Sequence, residues 1–320
     1  MMDLQRLRLL GELRSRGTIA AVADALSYSP STVSHQLSEL QREVGVTLFE
    51  RDGRRLRLTE AAHVLARHAD VLLARVELAE AEVAATAGAV TGVVRIVAFQ
   101  TAAFLLAPVL ADLAERHPGL RIETVMSEPD EALETLERRG CDLAICDEYE
   151  AVPRPRPAGF AFEELHVERV KLVVPRDHPV AGATPARIRD LESEVWAGGA
   201  PTESHGRLIN EVCRRHGGFT PDRRHQTCDV LALLALVSAR QAVTLLPELA
   251  RPERDPGVAV LPIAGRPVVR RIFTAVREAS LPRPALVAVR TALRAARSPA
   301  PEPPHATPPN GLHALNPSNL

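Results

Sequence analysis

The chain has 320 residues, 46% of them apolar and 25% charged, with a formal net charge of -1 at pH 7. These are the proportions of a folded chain of two or three domains, and they exclude a low-complexity or collagenous protein. No apolar run approaches the roughly 20 residues of a membrane span, and the N-terminal leucines are interleaved with charges, unlike a secretory signal, so the sequence predicts a cytoplasmic protein with no membrane partner.

Leu4, Leu7, Leu10 and Leu13 place an apolar face on a first helix, which Gly17 ends. Thr18 caps a second helix, Ile19 to Leu26, whose alanines permit close packing. The stretch SYSPSTVSHQLSEL follows. Ser29 is an N-cap, and Pro30 suits the first helical position because its missing N–H costs nothing there. Val33, Leu37, Leu40 and Val44 recur at helical spacing, and Gly45 is the stop. Two helices joined by a short turn form a helix-turn-helix over about residues 18–37.

With those apolar residues turned inward, Ser31, His35, Ser38 and Arg42 lie on the opposite face, flanked by Thr32 and Ser34. In helix-turn-helix proteins the second helix enters the major groove of double-stranded DNA and its first residues reach base edges. Short hydroxyl side chains allow that close approach and can bond bases or phosphates. The candidate contacts are therefore Ser29, Ser31, Thr32, Ser34, His35 and Ser38.

VTLFERDGRRLRLT then reads as two short strands around a turn at Asp52-Gly53. Arg51, Arg54, Arg55 and Arg57 make it a basic wing, in a chain whose only lysine is Lys171. Arginine's fork bonds phosphate bidentately, and such charge supplies most sequence-independent affinity.

From TIAAVADALSYSPSTVSHQLSEL to LFERDGRRLRLTEA, residues 3 to about 66 resemble the N-terminal domain of LysR-type transcriptional regulators. The resemblance implies a sequence-specific DNA-binding regulator controlled by a small-molecule effector. It also implies RNA polymerase as a partner if the protein activates transcription. One departure is visible: where the family commonly has Ser-Gln-Pro, this chain has Ser29-Pro30-Ser31, which removes a glutamine often available to bases and leaves the operator sequence open.

Leu58, Ala62, Leu65, Ala69, Leu72, Val76, Ala79 and Val83 alternate steps of four and three, the mark of a coiled-coil seam. At 1.5 Å per residue the helix is roughly 40 Å long. The seam could pack on its own chain. The resemblance favours instead a linker that pairs two subunits, giving a homodimer or homotetramer matched to a symmetric operator.

Beyond Gly88 to Gly92 the rhythm changes. VVRIVAF (93–99), the segment 121–126 and DLAIC (142–146) are strands alternating with helices near 106–116 and 131–139. RVKLVVP (169–175) opens a second set with helices near 207–216 and 230–239. The strand VVRRIFTAV (268–276) and a helix from Pro284 return to the first. The alternation implies α/β lobes around a mainly parallel sheet. Two such lobes crossed by two strands resemble the effector domain of the same family and periplasmic binding proteins. RDHPV (176–180), Trp196, HGGFTP (216–221) and LLP (245–247) fall where the family has similar residues. Arg240-Gln241-Ala242 stands where it often has Gly-x-Gly.

The fold class is thus α/β overall. A winged helix-turn-helix at 1–59 leads through a linker helix at 60–88 to an effector domain at 92–297, with lobe I at about 92–165 and 266–297 and lobe II at about 166–265. Residues 298–320, rich in proline, read as a disordered tail. In two-lobed sheets, ligands bind beyond the carboxyl ends of strands. Gln100 and Thr101 after the first strand, Thr202, Glu203 and Ser204 in the second lobe, and Asp147 and Thr227 beside other strand ends are the candidate effector contacts.

Three alternatives compete. A redox-sensing regulator needs an activated thiolate, and Cys141, Cys146, Cys213 and Cys228 all sit beside or within predicted core segments. An enzyme, or a solute-binding protein on the two-lobed fold, is disfavoured. The sequence holds no GxSxG, no Gly-rich phosphate loop, no HExxH and no metal-ligand spacing, so neither catalytic residues, a cofactor nor a metal is expected.

Overall fold

A computed structural model describes residues 2–52, 55–153 and 155–296. The N-terminal unit begins with α1 (Leu4–Arg16), α2 (Ile19–Leu26) and α3 (Pro30–Val44). Each start has a side-chain cap: Asp3 accepts from the Gln5 N–H, Thr18 from Ala21 and Ser29 from Thr32. Gly17 and Gly45 end α1 and α3 in the left-handed conformation, at φ 76° and 75°. Leu7, Leu10, Leu13, Val22, Val33, Leu37 and Leu40 meet in one core. Leu4, expected on the same face, is instead exposed, and Leu9 is buried. At the start of α1 there is no preceding turn for Leu4 to fold back against.

The wing is β1 (Phe49–Asp52) against β2 (Arg55–Leu58), antiparallel, with Asp52 opposite Arg55. The Gln41 side-chain carbonyl accepts from the Leu48 and Phe49 N–H groups at 2.8 and 3.2 Å, fastening the wing to α3. Arg54 and the proline-rich stretch from Ser298 lie outside the described residues.

Thr59 caps the 28-residue α4 (Glu60–Ala87). The first half of the predicted seam packs on its own chain: Ala62 and Ala69 are buried in the α1–α3 core, Leu58 and Leu65 pack against it, and Ala66, outside the seam, is buried there too. Small alanines let α1 and α4 approach closely. Farther along, Val71, Leu72 and Val83 are exposed. Between them Glu77 is anchored to the C-terminal domain: it accepts from Arg277 Nε at 2.8 Å and is also bonded by Arg139 and Ser280.

The C-terminal domain runs β3 (Gly92–Ala98), α5 (Ala103–Arg116), β4 (Leu120–Met126), α6 (Pro129–Glu137), β5 (Leu143–Tyr149) and the long β6 (Phe160–Pro175). It continues through β7 (Val195–Gly198), α7 (Ser204–Val212), β8 (Asp222–Gln226), α8 (Val230–Ser238), β9 (Thr244–Pro247) and β10 (Val258–Leu261). β11 (Val269–Arg277) and α9 (Pro284–Ala295) close it. Seven strands form one sheet in the order β10-β6-β11-β5-β3-β4, with β9 also on β6.

This sheet is mixed rather than mainly parallel. β3 is parallel to β4 and β5, but β11 is antiparallel to both β5 and β6, and β9 and β10 are antiparallel to β6. The cause is the crossing: β6 carries the chain from the first lobe to the second, and β11 brings it back beside β6. Their pairing must therefore be antiparallel. One apolar core lies around β3, α5 and α9, and another around Trp196, α7 and the far half of β6.

Candidate functional site

Two places on the molecule gather the predicted residues. The first is the outward face of α3. Ser31, Thr32, Ser34, His35 and Ser38 are all exposed there, with His35 at 69%. Not every hydroxyl is free. The Ser29 hydroxyl caps the helix and lies 2.8 Å from those of both Ser31 and Thr32. The Ser38 hydroxyl donates back to the Ser34 carbonyl at 2.9 Å. His35 Nε2 sits 3.7 Å from Glu39, whose carboxylate also pairs with Arg42. Ser34 and His35 thus project farthest from the helix's own bonding. α3 is held from behind by Arg6, which donates to Gln36 at 2.9 Å and to Glu43 at 2.7 Å. On the wing, Arg57 is 70% exposed and pairs with Glu50.

The second place is a chamber of about 70 Å³ between the two halves of the C-terminal domain. Gln100, Thr101, Asp147 and Ser204 line it. Thr202, Glu203 and Thr227 do not. The Thr202 carbonyl is taken by Arg207, Glu203 accepts from the Ala200 N–H at 2.7 Å, and Thr227 accepts from the Asp229 N–H at 3.1 Å. All three use their polar groups to shape loops beside the strand ends. Glycine is required at 206, where α7 packs on the loop at Ala200: a Cβ there would meet the Ala200 carbonyl oxygen at 2.0 Å.

Sequence reasoning missed the residue on which the chamber is built. Arg270, on the returning strand β11, is 4% exposed and reaches across the floor. Its Nε and Nη2 donate to Glu168 at 2.8 and 2.6 Å, its Nη2 to Thr101 at 2.9 Å and its Nη1 to Asp147 at 3.3 Å. The Phe99 ring lies under the guanidinium at 5.0 Å. Burial works against its charge, but Glu168, Tyr149 and Asp147 reverse the effect and hold its pKa above the usual arginine range. Glu128, Tyr149, His205 and Cys228 also line the chamber and were not foreseen as ligand contacts.

Burial pushes Asp147 up to about 6, against the pull of Arg270. Glu128 is raised as well, first by burial and then by Glu203 and Glu131, against a hydrogen bond from Cys228. Burial lowers His205 to about 4, so it is neutral. Its Nε2–H donates to the Leu245 carbonyl at 2.8 Å, leaving Nδ1 to accept from the Gly199 N–H at 3.3 Å. Gln100 bridges the two lobes at the chamber's mouth, donating to Asp229 at 3.2 Å and accepting from the Val230 N–H at 3.1 Å.

Family models match both ends of the chain. Residues 4–63 match the bacterial regulatory helix-turn-helix model of the lysR family, and residues 87–298 match the LysR substrate binding domain. The transcriptional dual regulator GltC of Bacillus subtilis is 28% identical over 281 residues, covering 85% of this chain and 89% of its own. A full-length OxyR from Pseudomonas aeruginosa shares the fold at a TM-score of 0.65 and 21% identity, covering 92% of this chain and 95% of its own. Full-length CbnR complexed with its target DNA does so at 0.53 and 21%, covering 92% and 100%. The chain belongs to the LysR family of transcriptional regulators, with an N-terminal helix-turn-helix and a C-terminal effector-binding domain.

Proposed function

We propose that the exposed hydroxyl and imidazole face of α3 reads operator bases while the arginines of the wing hold the phosphate backbone. The observation that carries this reading is the arrangement around Ser29. Its cap and the Pro30 start fix the first turn of α3, and Ser34 and His35 stand clear on the outer side. Ser31, Thr32 and Ser38 provide a low surface for close approach, and Arg51, Arg54, Arg55 and Arg57 supply sequence-independent affinity. In this division of the chain, residues 1–59 bind DNA, 60–88 link and pair subunits, and 92–297 bind the effector. The exposed Val71, Leu72 and Val83 of α4 support pairing of two copies, as a dimer or within a tetramer. The chamber between the lobes receives a small molecule through Gln100, Thr101, Asp147 and Ser204, and the complex acts on transcription in the cytoplasm, with RNA polymerase as a further partner if it activates.

The test is a gel shift with the promoter region upstream of the protein's own gene. Binding that weakens steeply with salt is expected. A folded dimer that fails to bind at low salt overturns the proposal.

A further inference from the structure

Charge distinguishes this chamber, and it points to a class of effector. Glu128 and Asp147 line its wall, while Arg270, the one arginine among its lining residues, is committed to Glu168, Asp147 and Thr101. His205 is neutral, and nearby Arg223 is engaged by the Gly199 and Gly206 carbonyls. Among the described residues, the cavity therefore offers an anion no uncommitted cation.

An independent feature lies at the floor. Asp147 is 4% exposed, and Arg270 bonds only its Oδ2, at 3.3 Å. Its Oδ1 is buried and has no hydrogen-bond partner among the described residues. A buried carboxylate oxygen without a donor is costly, and a donor brought beside Asp147 from the chamber would relieve that cost. The space is small, with room for a head group of roughly five non-hydrogen atoms. A second cavity of about 590 Å³ adjoins it, sharing Gln100, Thr101 and Val230 as walls; Phe104, Leu231 and Leu234 line it further out, together with Arg251, stacked on Phe104, Arg254 and Asp255.

Resting on the reading of the cleft as the effector site, we infer that the effector is a small amine. Its protonated head sits between the carboxylates of Asp147 and Glu128, and its apolar body passes Gln100 into the outer cavity. A carboxylate head is disfavoured inside the chamber, because it would face Glu128 and Asp147 with no uncommitted cation among the chamber's lining residues to answer it. Entry of the head displaces the Gln100 bridge to Asp229 and Val230, which is how binding reaches the relative position of the lobes.

Titration follows from the same geometry. The groups facing Asp147 are Arg270 from β11, Glu168 from β6, Tyr149 on its own strand and Glu128 ahead of α6, with His205 and Cys228 across the chamber. Since Asp147 titrates near 6, amine binding weakens about four-fold as pH falls from 7.5 to 5.5.

The experiment is calorimetric titration of the full-length protein at pH 7.5 with butylamine, 2-phenylethylamine and agmatine. 3-Phenylpropionate and 2-phenylethanol serve as acidic and neutral counterparts of the aryl amine. At least one amine is expected to bind saturably, the aryl amine at least ten-fold tighter than its counterparts. Asp147→Asn and Glu128→Gln should each weaken amine binding ten-fold or more, and Glu128→Gln leaves the buried Arg270 network untouched, so its folding is not at issue. Absence of binding by every amine overturns the inference. Tighter binding of the acid or the alcohol, weakened by Ser204→Leu in the chamber wall, overturns the amine class while leaving the cleft as the site. Amine binding unchanged in all three variants places the ligand elsewhere, and both readings fall.

Discussion

Arg270 and Asp147 show how burial decides what a residue does. Neither carboxylate beside Arg270 can be removed from water cheaply, and the three charges persist because each offsets another. Asp147 is the weaker partner, bonded through one oxygen at 3.3 Å, and its pKa rises from 3.8 to about 6. A carboxyl with a raised folded-state pKa contributes stability that is fully present below the unfolded value and lost as pH rises through the folded one. Urea unfolding of wild type and Asp147→Asn should therefore diverge between pH 4 and 7. The variant gains relative to wild type with rising pH, by up to about 3 kcal/mol at 1.36 kcal/mol per pKa unit. A constant difference across that range would mean that Asp147 titrates alike in both states. Cysteine gives the opposite case, a reactive group disarmed by its surroundings. Burial raises Cys141, Cys146 and Cys213 to about 12, and Cys228, raised by burial and by Glu128 and Glu203, is higher still. Thiols in that state are poor nucleophiles. Peroxide treatment at pH 7.5 should leave operator affinity in a gel shift unchanged, and a shift reversed by dithiothreitol would restore the redox alternative.

Elements differ in how plainly the sequence announces them. Ser29-Pro30 and Gly45 bracket α3 because capping chemistry is local: the Ser29 hydroxyl bonds the Thr32 N–H three residues on. Ser29→Ala should cost about 1 kcal/mol of stability in thermal unfolding, the usual loss for such a cap. The same locality makes the helix-turn-helix face legible from residue order alone. Arg270 is not legible in that way, because two adjacent arginines on a strand look like surface residues, and only the pairing of β11 with β5 and β6 turns one of them inward. The first half of β6 escapes notice for a related reason, since Glu163, Glu164 and Glu168 break its apolar alternation and are answered by arginines distant in sequence. At Arg240, where the family often has glycine, the backbone takes φ 60°, a conformation that glycine adopts without strain. The seam of α4 is legible as a periodicity, but one helix serves two purposes along its length. Its alanines pack on α1, and its exposed apolar residues lie farther on.

At the scale of the whole molecule, α4 runs from the α1–α3 core to the C-terminal domain, and Glu77 is one place where that domain grips it. Burial would raise its pKa, but Arg277, Ser280 and Arg139 together hold it below the ordinary glutamate value. Arg277 in turn donates to the Leu136 and Cys141 carbonyls at 2.9 and 2.7 Å, at the end of α6 and the start of β5. The other end of α6 begins beside Glu128 on the chamber wall, and β5 carries Asp147. A ligand that shifts either element thus pulls on the socket that grips α4. Since the folded-state pKa of Glu77 is lowered, its contribution is present above the ordinary glutamate value of 4.5 and lost as pH falls through the folded one. Glu77→Gln should therefore cost about 1 to 3 kcal/mol in urea unfolding at neutral pH, and less as the pH is lowered. Binding energies through a shared joint are reciprocal: the factor by which effector changes operator affinity equals the factor by which operator changes effector affinity. Both factors can be measured, by calorimetry with and without operator DNA and by gel shift with and without ligand. In Glu77→Gln both should move toward one together, while effector affinity without DNA and operator affinity without effector stay within about three-fold of wild type. Retention of the full coupling in that variant would show that the signal leaves the effector domain by another route.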